Sequence, residues 1–461
     1  MKNLDAFFKP KTVAVIGASR NPKKIGFTVF KNFVEEFKGK TFPVNPNAEK
    51  VLGRKAYASV KDIRQNIDLA VIVIPAEKVP HALKECVEKK VKAVVIISSG
   101  FSEIGNEKLE EELRQIIKGS DTRVIGPNCL GVFDSRTRVN SLFLPKEKLQ
   151  TPRRGGIAFI SQSGAVGSVV VDWMAHKGYG LSKFISYGNA VDVNETDLIE
   201  YLAEDKETKV ICVYLEGVKN GKRFMNAVKK TVKKKPVIVL KGGRTSEGAK
   251  AVASHTGSLA GNDKVYDAAF KQSGAIRAKH MIEMFNFARA MVDQPLPQGD
   301  RILIVTNGGG FGVLATDQAI LKKLKLAELS RTSKQKLKKI LPSYAEVKNP
   351  LDLVGDADDE RYRKALEIIG KDKNVDAVLL ILLFQTAPIT PKVVDYVIKF
   401  SKKKKKPVIV CSAGGEYSEK LIKKLEENDI PVFDCPARAV DALDALVDYS
   451  NIRKGKEWTY E

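Results

Sequence analysis

The sequence predicts an α/β protein built from several doubly wound parallel sheets. Three observations support this fold class. Short, almost wholly apolar segments recur along the chain, and each ends in glycine-rich or polar turn residues. Segments with helical periodicity separate these predicted strands, which is the pattern of parallel sheets covered by helices. The pattern then repeats in the later part of the chain, which indicates two copies of one kind of domain.

Length and composition narrow the class of protein. A chain of 461 residues is too long for one ordinary core and suggests several domains. A hydrophobic fraction of 43% and a charged fraction of 29% are typical of a soluble globular protein, and no apolar run could span a membrane. The N-terminus lacks a signal-peptide core, and the five cysteines form no Cys-x-x-Cys pair. We therefore expect a cytoplasmic protein without a disulfide framework or a zinc site.

The formal net charge of +23 is carried mainly by lysine. Such a charge favours binding to nucleic acid, to anionic substrates or to an acidic partner subunit. It is also typical of a lysine-rich thermophile proteome. The clusters at 233–235 and 402–406 each precede a Pro-Val-Ile-Val segment, where a solvated helix end explains them. The sequence has no interleaved aromatic stripe and no nucleic-acid module, so we expect no nucleic-acid partner and no membrane partner.

Residues 1–130 are predicted to form a Rossmann-like nucleotide-binding domain. Its apolar strands lie at 12–18, 69–74, 93–97 and 123–125, and all of them end in turn residues. Ligands of doubly wound sheets bind outside the carboxyl ends of the strands, where these turns gather. The glycine spacing differs from Gly-x-Gly-x-x-Gly, because Ala18 follows Gly17 and the next glycine is Gly26. A nicotinamide dinucleotide is therefore disfavoured.

Residues 131–295 and 300–461 are predicted to be two flavodoxin-like domains joined by a linker that contains proline and glycine. The strand at 156–160 and its turn align with 301–305 and the turn that follows. The strand that ends in Glu216 aligns with the one that ends in Gln385. After its Gly-Gly pair the later copy enters a helix directly, whereas the earlier copy inserts a Gly-, Ala- and Ser-rich loop with His255.

This loop and its neighbours suggest phosphoryl chemistry. Neutral histidine is a nucleophile near pH 7, so His255 is a candidate to attack phosphorus. A carboxylate such as Glu216 could fix the tautomer of the imidazole ring. The turns after the two aligned strands offer backbone amides at helix N-termini, which bind phosphate. The alternatives are an incidental histidine in a flexible loop, a carboxylate that caps a turn, and glycines that serve tight strand–helix packing.

Several motifs together resemble a known family. Ile-Gly-Ala-Ser at 16–19 and Ile-Gly-Pro-Asn-Cys at 125–129 are followed by Ser-Gln-Ser-Gly-Ala and by the glycine-rich histidine loop. This order resembles the alpha subunit of succinyl-CoA synthetase. The third domain, with Asn-Gly-Gly-Gly at 307–310, makes the chain more similar to the alpha subunit of the archaeal ADP-forming acetate–CoA ligases, or acetyl-CoA synthetases.

The resemblance implies coenzyme A, as acetyl-CoA or another acyl-CoA, as the substrate of the first domain. It implies that His255 is the phosphorylated residue and that Glu216 orients it. The reaction would convert acyl-CoA, ADP and phosphate reversibly into carboxylate, CoA and ATP. The implied CoA-binding residues are Gly17, Ala18, Ser19, Lys24, Pro75, Ser98, Ser99, Gly100 and Asn128. The implied phosphate-binding residues are Gln162, Ser163, Gly164, Asn307, Gly308, Gly309 and Gly310.

The resemblance also implies a partner, because no segment resembles an ATP-grasp domain. We expect a separate ATP-grasp beta subunit in an α2β2 assembly, with Mg²⁺ accompanying ADP and ATP there and no metal site on this chain. We further expect the histidine loop to adopt two positions, hinged at glycines 242, 243, 248, 257 and 261. The alternatives are a non-catalytic CoA-binding regulator, a succinate-specific alpha subunit and the related region of a protein acetyltransferase. The preferred acyl group is left open.

Overall fold

A computed structural model describes residues 3–256 and 262–455, apart from the side chains of residues 254–256. The chain divides into two compact units, Met1–Lys279 and His280–Glu461. Parallel strands alternate with helices in both, so the predicted α/β class is confirmed. Among the described helices, none is both long enough and apolar enough to cross a bilayer. The predicted domain limits, 1–130, 131–295 and 300–461, stay a prediction.

The first part of the N-terminal unit is built around one parallel sheet. The strands of this part of the unit are β1 (Thr12–Ile16), β2 (Lys40–Val44), β3 (Lys50–Val51), β4 (Arg54–Lys55), β5 (Leu69–Ile72), β6 (Ala93–Ile96) and β7 (Arg123–Ile125). Its helices are α1 (Asp5–Phe8), α2 (Ile25–Glu36), α3 (Val79–Glu88) and α4 (Glu107–Ile117). The sheet order is β2-β1-β5-β6-β7, and β3 and β4 form a separate hairpin. The central strands are apolar and buried because helices cover both faces of the sheet.

The second part of this unit contains a six-stranded sheet. Its strands are β8 (Gly131–Asp134), β9 (Arg154–Ser161), β10 (Leu181–Ser186), β11 (Val210–Leu215), β12 (Val237–Lys241) and β13 (Ile276–Ala278). Its helices are α5 (Gly164–His176), α6 (Glu195–Glu204), α7 (Gly221–Thr231), α8 (Ser246–Thr256) and α9 (Asp263–Ser273). The order is β13-β12-β11-β9-β10-β8, and β8 alone of these runs antiparallel to its neighbour.

A buried ion cluster fastens β8 to the sheet. The ammonium group of Lys183 on β10 lies 3.1 Å from Asp134 at the end of β8 and 2.7 Å from Asp205. The Lys183 side chain is 1% exposed, so both carboxylates are needed to offset the cost of burying its charge. The edge strand is thereby held in place although it is only four residues long.

The C-terminal unit has a third sheet of the same kind. Its strands are β14 (Arg301–Thr306), β15 (Lys325–Leu326), β16 (Leu351–Asp352), β17 (Ala377–Ile381), β18 (Val408–Cys411) and β19 (Val432–Phe433). Its helices are α10 (Met281–Asp293), α11 (Gly309–Leu321), α12 (Arg331–Lys338), α13 (Asp359–Ile369), α14 (Lys392–Lys402), α15 (Glu416–Glu426) and α16 (Pro436–Arg453). The order is β15-β14-β17-β18-β19, with β16 also paired to β14. Strands β9, β11 and β12 therefore correspond to β14, β17 and β18.

The predicted loop after Gly243 is wrong for most of its length, because residues 246–256 form helix α8. Alanine is the best helix former, and Ala249, Ala251 and Ala253 supply helix propensity without an apolar stripe. Gly248 lies inside the helix rather than in a loop, and residues 257 and 261 lie outside the described residues. Gly243 does turn the chain: its φ is +72°, and a Cβ there would lie 2.8 Å from Val252.

Candidate active site

Most of the predicted site residues of the N-terminal unit surround one cavity of about 1510 Å³. It lies at the carboxyl ends of strands, where a doubly wound sheet binds its ligand. Its volume exceeds that of a usual drug-sized pocket and suits an elongated cofactor. The predicted residues on its wall are Gly17, Ser19, Lys24, Pro75, Ser98, Ser99, Asn128, Gln162, Ser163, Gly164 and Glu216.

One wall of the cavity is the turn between β1 and α2. Gly17 has a φ of +95°, and a Cβ at Gly26 would overlap the carbonyl oxygen of Gly17. The two glycines therefore let the chain double back tightly, and helix α2 begins at the cavity with Lys24 as its N-cap. The free amides of a helix start, its dipole and a lysine together attract anions.

Another part of the cavity wall is the turn between β9 and α5. The Ser163 hydroxyl caps α5 by accepting a hydrogen bond from Val166 N, and Ser161 donates its hydroxyl proton to the carbonyl oxygen of Ser163. Gly164 opens the helix and also lines the cavity. A second helix N-terminus thus faces the same space as α2, so the cavity can bind more than one anionic group.

Gln162 organises the strand end beside this turn. Its Oε1 accepts hydrogen bonds from Glu216 N at 2.7 Å, Gly217 N at 3.2 Å and the Tyr187 hydroxyl at 3.2 Å. This oxygen is therefore committed to protein groups, and a phosphate could meet this side chain only through its Nε2. The amide holds the backbone of Glu216 in place.

Glu216 follows directly after β11 and is 4% exposed. Its Oε1 accepts a hydrogen bond of 3.2 Å from the Tyr214 hydroxyl. Its Oε2 is shielded from solvent and has no hydrogen-bond partner among the described residues. Burial, and secondarily the Glu216 charge, raises the pKa of Tyr214 above its usual range, so the hydroxyl stays a proton donor. A buried acceptor without a donor is rare in folded proteins and suggests a further ligand.

Some predicted residues do not line the cavity. Ala18 is buried, and its carbonyl oxygen accepts a hydrogen bond from Asn45 Nδ2. The amide of Gly100 donates to the Glu103 carboxylate at 2.5 Å, so it is not free to bind phosphate. Neither residue is on the wall of the cavity, and their hydrogen bonds stabilise turns whose neighbouring residues are.

The second predicted phosphate turn lies in the C-terminal unit. Asn307 is 3% exposed, and its side-chain oxygen accepts a hydrogen bond from Leu383 N while Nδ2 donates to Leu383 O and Thr386. The amide of Gly308 donates to Thr306 Oγ1. Gly309 and Gly310 are exposed in the first turn of α11, where amides have no intrahelical acceptor. In this turn, Gly309 and Gly310 offer their amides, whereas Asn307 and Gly308 do not.

The alignment of Gln385 with Glu216 is wrong by two residues. Gln162 binds the backbone N–H of Glu216, and Asn307 binds the equivalent N–H of Leu383. Leu383 is thus the counterpart of Glu216. The apolar residues 382–384, which follow β17, lengthened the apparent strand in the sequence and displaced the alignment.

The backbone of His255 lies in the last turn of α8, and its side chain lies outside the described residues. Helix α8 packs beside the short 3-10 turn Ser102–Ile104. Ser102 also lines the cavity, so part of α8 lies close to that wall. The assignment of His255 as the phosphorylated residue stays a prediction.

Sequence reasoning missed several residues of the cavity. Asn189 links two walls: its side chain contacts Asn128, Glu103 and Glu110. Other missed residues are Asn45, Asn47, Lys78, His81 and Lys219. The turn residues Gly188-Asn189, which follow β10 after Tyr187, were the available signal for Asn189. Tyr214 was hidden inside an apolar strand, where an aromatic residue is expected in the core.

Comparisons with known proteins match three successive parts of the chain to domains of CoA ligases. Residues 11–134 match the CoA binding domain, residues 154–291 the succinyl-CoA ligase like flavodoxin domain, and residues 302–451 the ligase-CoA domain. The alpha subunit of ADP-forming acetate–CoA ligase II from Pyrococcus furiosus is 46% identical over 450 residues, which cover 96% of this chain and 97% of that subunit. The chain belongs to the ADP-forming acetate–CoA ligase family.

Two further members of this family extend the comparison. The ADP-forming acetate–CoA ligase of Methanocaldococcus jannaschii is 44% identical over 97% of this chain, which spans 63% of that longer protein. The structure of acetyl-coenzyme A synthetase 1 from Ca. Korarchaeum cryptofilum, in complex with phosphate and ADP, is 38% identical with a TM-score of 0.93 and covers 98% of each chain. The predicted family and its sequence of a CoA-binding and two ligase domains are confirmed.

Proposed function

We propose that this chain is the alpha subunit of an ADP-forming acetate–CoA ligase, which converts acyl-CoA, ADP and phosphate reversibly into carboxylate, CoA and ATP. The observation that carries this proposal is Glu216, a buried carboxylate with one oxygen that has no hydrogen-bond partner among the described residues. It lies on a cavity that also meets two helix N-termini. Such a carboxylate is suited to accept the N–H of an imidazole that is to be phosphorylated. Membership of the ligase family supplies the reaction.

The first step takes place on acyl-CoA in the cavity. The turns of the first sheet, with Lys24 at the start of α2, hold the anionic CoA. Phosphate at the N-terminus of α5 attacks the thioester carbonyl carbon with one oxygen. The carbon–sulfur bond breaks, the thiolate takes a proton and leaves as CoA, and an acyl phosphate remains. The amides of α5 stabilise the charge on the transferred group.

The second step uses His255. Its unprotonated ring nitrogen attacks phosphorus, the bond from phosphorus to the acyl oxygen breaks, and the carboxylate leaves. The other ring nitrogen keeps its proton, which Glu216 Oε2 accepts in a hydrogen bond. The negative charge of Glu216 also stabilises the positive character that the ring gains on phosphorylation. The orienting carboxylate matters more in this step than in thioester cleavage.

The third step needs a nucleotide site that this chain is not expected to carry. We infer an ATP-grasp beta subunit, arranged with this chain as α2β2, which binds ADP with Mg²⁺. An oxygen of the ADP β-phosphate attacks phosphohistidine, the nitrogen–phosphorus bond breaks and ATP forms. The turn at 307–310 is inferred to bind phosphate through the amides of Gly309 and Gly310. The net charge of +23 favours anionic substrates and an acidic partner surface.

The test is to incubate the purified chain with acetyl-CoA and radiolabelled phosphate and to search for acid-labile phosphate on histidine. We expect label in the wild type and none in the His255→Asn variant, because the phosphate then has no carrier. Calorimetry on both proteins should give equal CoA binding and no NAD binding. CoA binding without labelling of the wild type would favour a non-catalytic CoA-binding protein and contradict the proposal.

A further inference from the structure

The strand end that carries Glu216 holds a second polar group. Tyr214 and Glu216 are two residues apart at the carboxyl end of β11, so their side chains leave the same face. The Tyr214 hydroxyl donates its hydrogen bond to Glu216 Oε1, while Oε2 has no partner among the described residues. The tyrosine therefore decides which carboxylate oxygen remains available.

The corresponding strand of the C-terminal unit lacks this pair. Tyr214 lies opposite Ser161 in the sheet, and Leu380 lies opposite Val305, so Ile381 is the residue opposite Thr306. The counterparts of Tyr214 and Glu216 are thus Ile381 and Leu383, both aliphatic. A strand end that only had to pack could use aliphatic side chains, as β17 does. The hydroxyl and the carboxylate occur together in the copy that also carries His255.

Gly242 at the end of the adjacent strand makes room for the pair. A Cβ at this position would lie 2.7 Å from the Tyr214 hydroxyl oxygen and 3.6 Å from Cγ of Glu216. Its φ is not in the left-handed region, so the backbone itself does not require glycine. The tightest steric constraint on residue 242 therefore comes from the tyrosine hydroxyl, and the ring carbon Cζ of Tyr214 at 3.3 Å is the next contact.

We propose that Tyr214 is a positioning residue for histidine phosphorylation: its hydroxyl holds Oε1 of Glu216, so that Oε2 is presented to the imidazole N–H of His255. The inference rests on the proposed function and deepens it. Without the hydroxyl, the carboxylate can rotate about its side-chain bonds, and the fraction of molecules with a correctly oriented imidazole falls. Tyr214 makes no contact with the thioester in this account, so cleavage of acyl-CoA by phosphate does not depend on it.

The test compares Tyr214→Phe with Tyr362→Phe in the full chain, using rapid quench with acetyl-CoA and radiolabelled phosphate. Tyr362 serves as the control because it is a fully buried tyrosine, whereas Tyr214 is half-buried, and the Tyr362 hydroxyl donates to the carbonyl oxygen of Ile381 in the other unit. We expect Tyr214→Phe to lower the rate constant of His255 phosphorylation roughly 10- to 100-fold, the effect of losing a hydrogen bond to a charged group. The KM for acetyl-CoA and the rate of CoA release should stay unchanged.

A double-mutant cycle separates positioning from a general loss of stability. Gly242→Ala should slow phosphorylation like Tyr214→Phe, because the new methyl group displaces the hydroxyl. In the Tyr214→Phe background the same alanine should add less than a twofold effect, since the atom it meets at 2.7 Å is gone and only the 3.3 Å contact with Cζ remains. If the rate reductions of the two single variants multiply in the double variant, Gly242 acts independently of the tyrosine. That result would contradict the inference.

The outcomes distinguish the two proposals. If the wild type is not labelled on His255, the proposed function fails and the inference fails with it. If the wild type is labelled and Tyr214→Phe is labelled at the same rate, only the positioning role is wrong. An equal loss in Tyr214→Phe and Tyr362→Phe would likewise contradict it, because the loss would then reflect a missing tyrosine hydroxyl in general rather than the orientation of Glu216.

Discussion

The turn after β9 and the turn after β14 have the same hydrogen bonds but different side chains beside them. In both, a hydroxyl on the last strand residue donates to a carbonyl oxygen two residues later: Ser161 to Ser163 and Thr306 to Gly308. In both, the next side chain is an amide whose oxygen accepts the backbone N–H at the neighbouring strand end. The two turns thus share the hydrogen bonds that hold a helix N-terminus open.

The side chains at those neighbouring strand ends make the difference. The amide of Gln162 fixes the backbone of Glu216, whose carboxylate is bonded by Tyr214, whereas the amide of Asn307 fixes the backbone of Leu383. Helix α8 is also inserted after β12, while β18 leads through Gly415 directly into α15. We therefore propose that the common turn binds anions in both copies and that only one copy carries acid–base and nucleophilic groups.

The largest effect is expected when the difference between the two copies is removed at Glu216. Glu216→Gln keeps the shape of the side chain but removes the charge that orients and stabilises the phosphorylated imidazole. We expect histidine phosphorylation to slow roughly 10²- to 10⁴-fold, the range for losing a catalytic acid–base group. Stopped-flow or rapid-quench measurement of the phosphorylation rate checks this prediction, with the Gln385→Ala variant as the control. Gln385 is the residue that sequence alignment paired with Glu216, and its loss should change the rate less than twofold.

A smaller effect is expected at the shared amide. Gln162→Leu leaves the N–H groups of Glu216 and Gly217 without their acceptor, which costs about 1–3 kcal/mol of stability for each buried group. Asn307→Leu removes the corresponding acceptor of Leu383 and measures this structural loss where no carboxylate is involved. Both variants should melt at a lower temperature. Gln162→Leu should in addition slow phosphorylation about tenfold, and an unchanged rate would make Gln162 a purely structural residue.

The smallest effect concerns the first turn of α5. Ser163→Ala removes the side-chain cap and should destabilise the helix start by about 1 kcal/mol, whereas Ser163→Gly should cost only a few tenths. Helix α11 has Gly308 at its N-cap and therefore no side-chain cap, so the glycine variant makes the two turns alike. The change is measured by hydrogen exchange at the Val166 amide, which donates its hydrogen bond to the Ser163 hydroxyl. Equal exchange in all three proteins would show that the cap contributes nothing.

The parts that sequence could predict are those with strong local signals. Strands β1, β5, β6, β9 and β11 are apolar runs that end in turns, and each was found within a few residues. Strand β2 was missed because it contains Pro43 and lies at the edge of its sheet. Strand β8 was missed because it is short and pairs with β10, about fifty residues away, which no local pattern reveals.

The site was predictable as a set of turns and not as a set of contacts. Gly17, Ser98 and Asn128 follow strands that were recognised, and they do line one cavity. The bond from Tyr214 to Glu216 depends on side-chain direction at a strand end, and the engagement of Gly100 by Glu103 depends on a local loop shape. The sequence of helix α8 predicts a loop because its small residues give no apolar stripe, although alanine favours a helix.

Mapping the phosphate by mass spectrometry tests the central claim most directly. The sequence has four histidines, at positions 81, 176, 255 and 280. His81 also lines the cavity, with its Nε2 3.7 Å from Glu85, and His280 accepts a backbone hydrogen bond as the N-cap of α10. After reaction with acetyl-CoA and phosphate, we predict phosphate on His255 and none on the other three histidines. Phosphate on His81, or on no histidine during turnover with the partner subunit, would contradict the account.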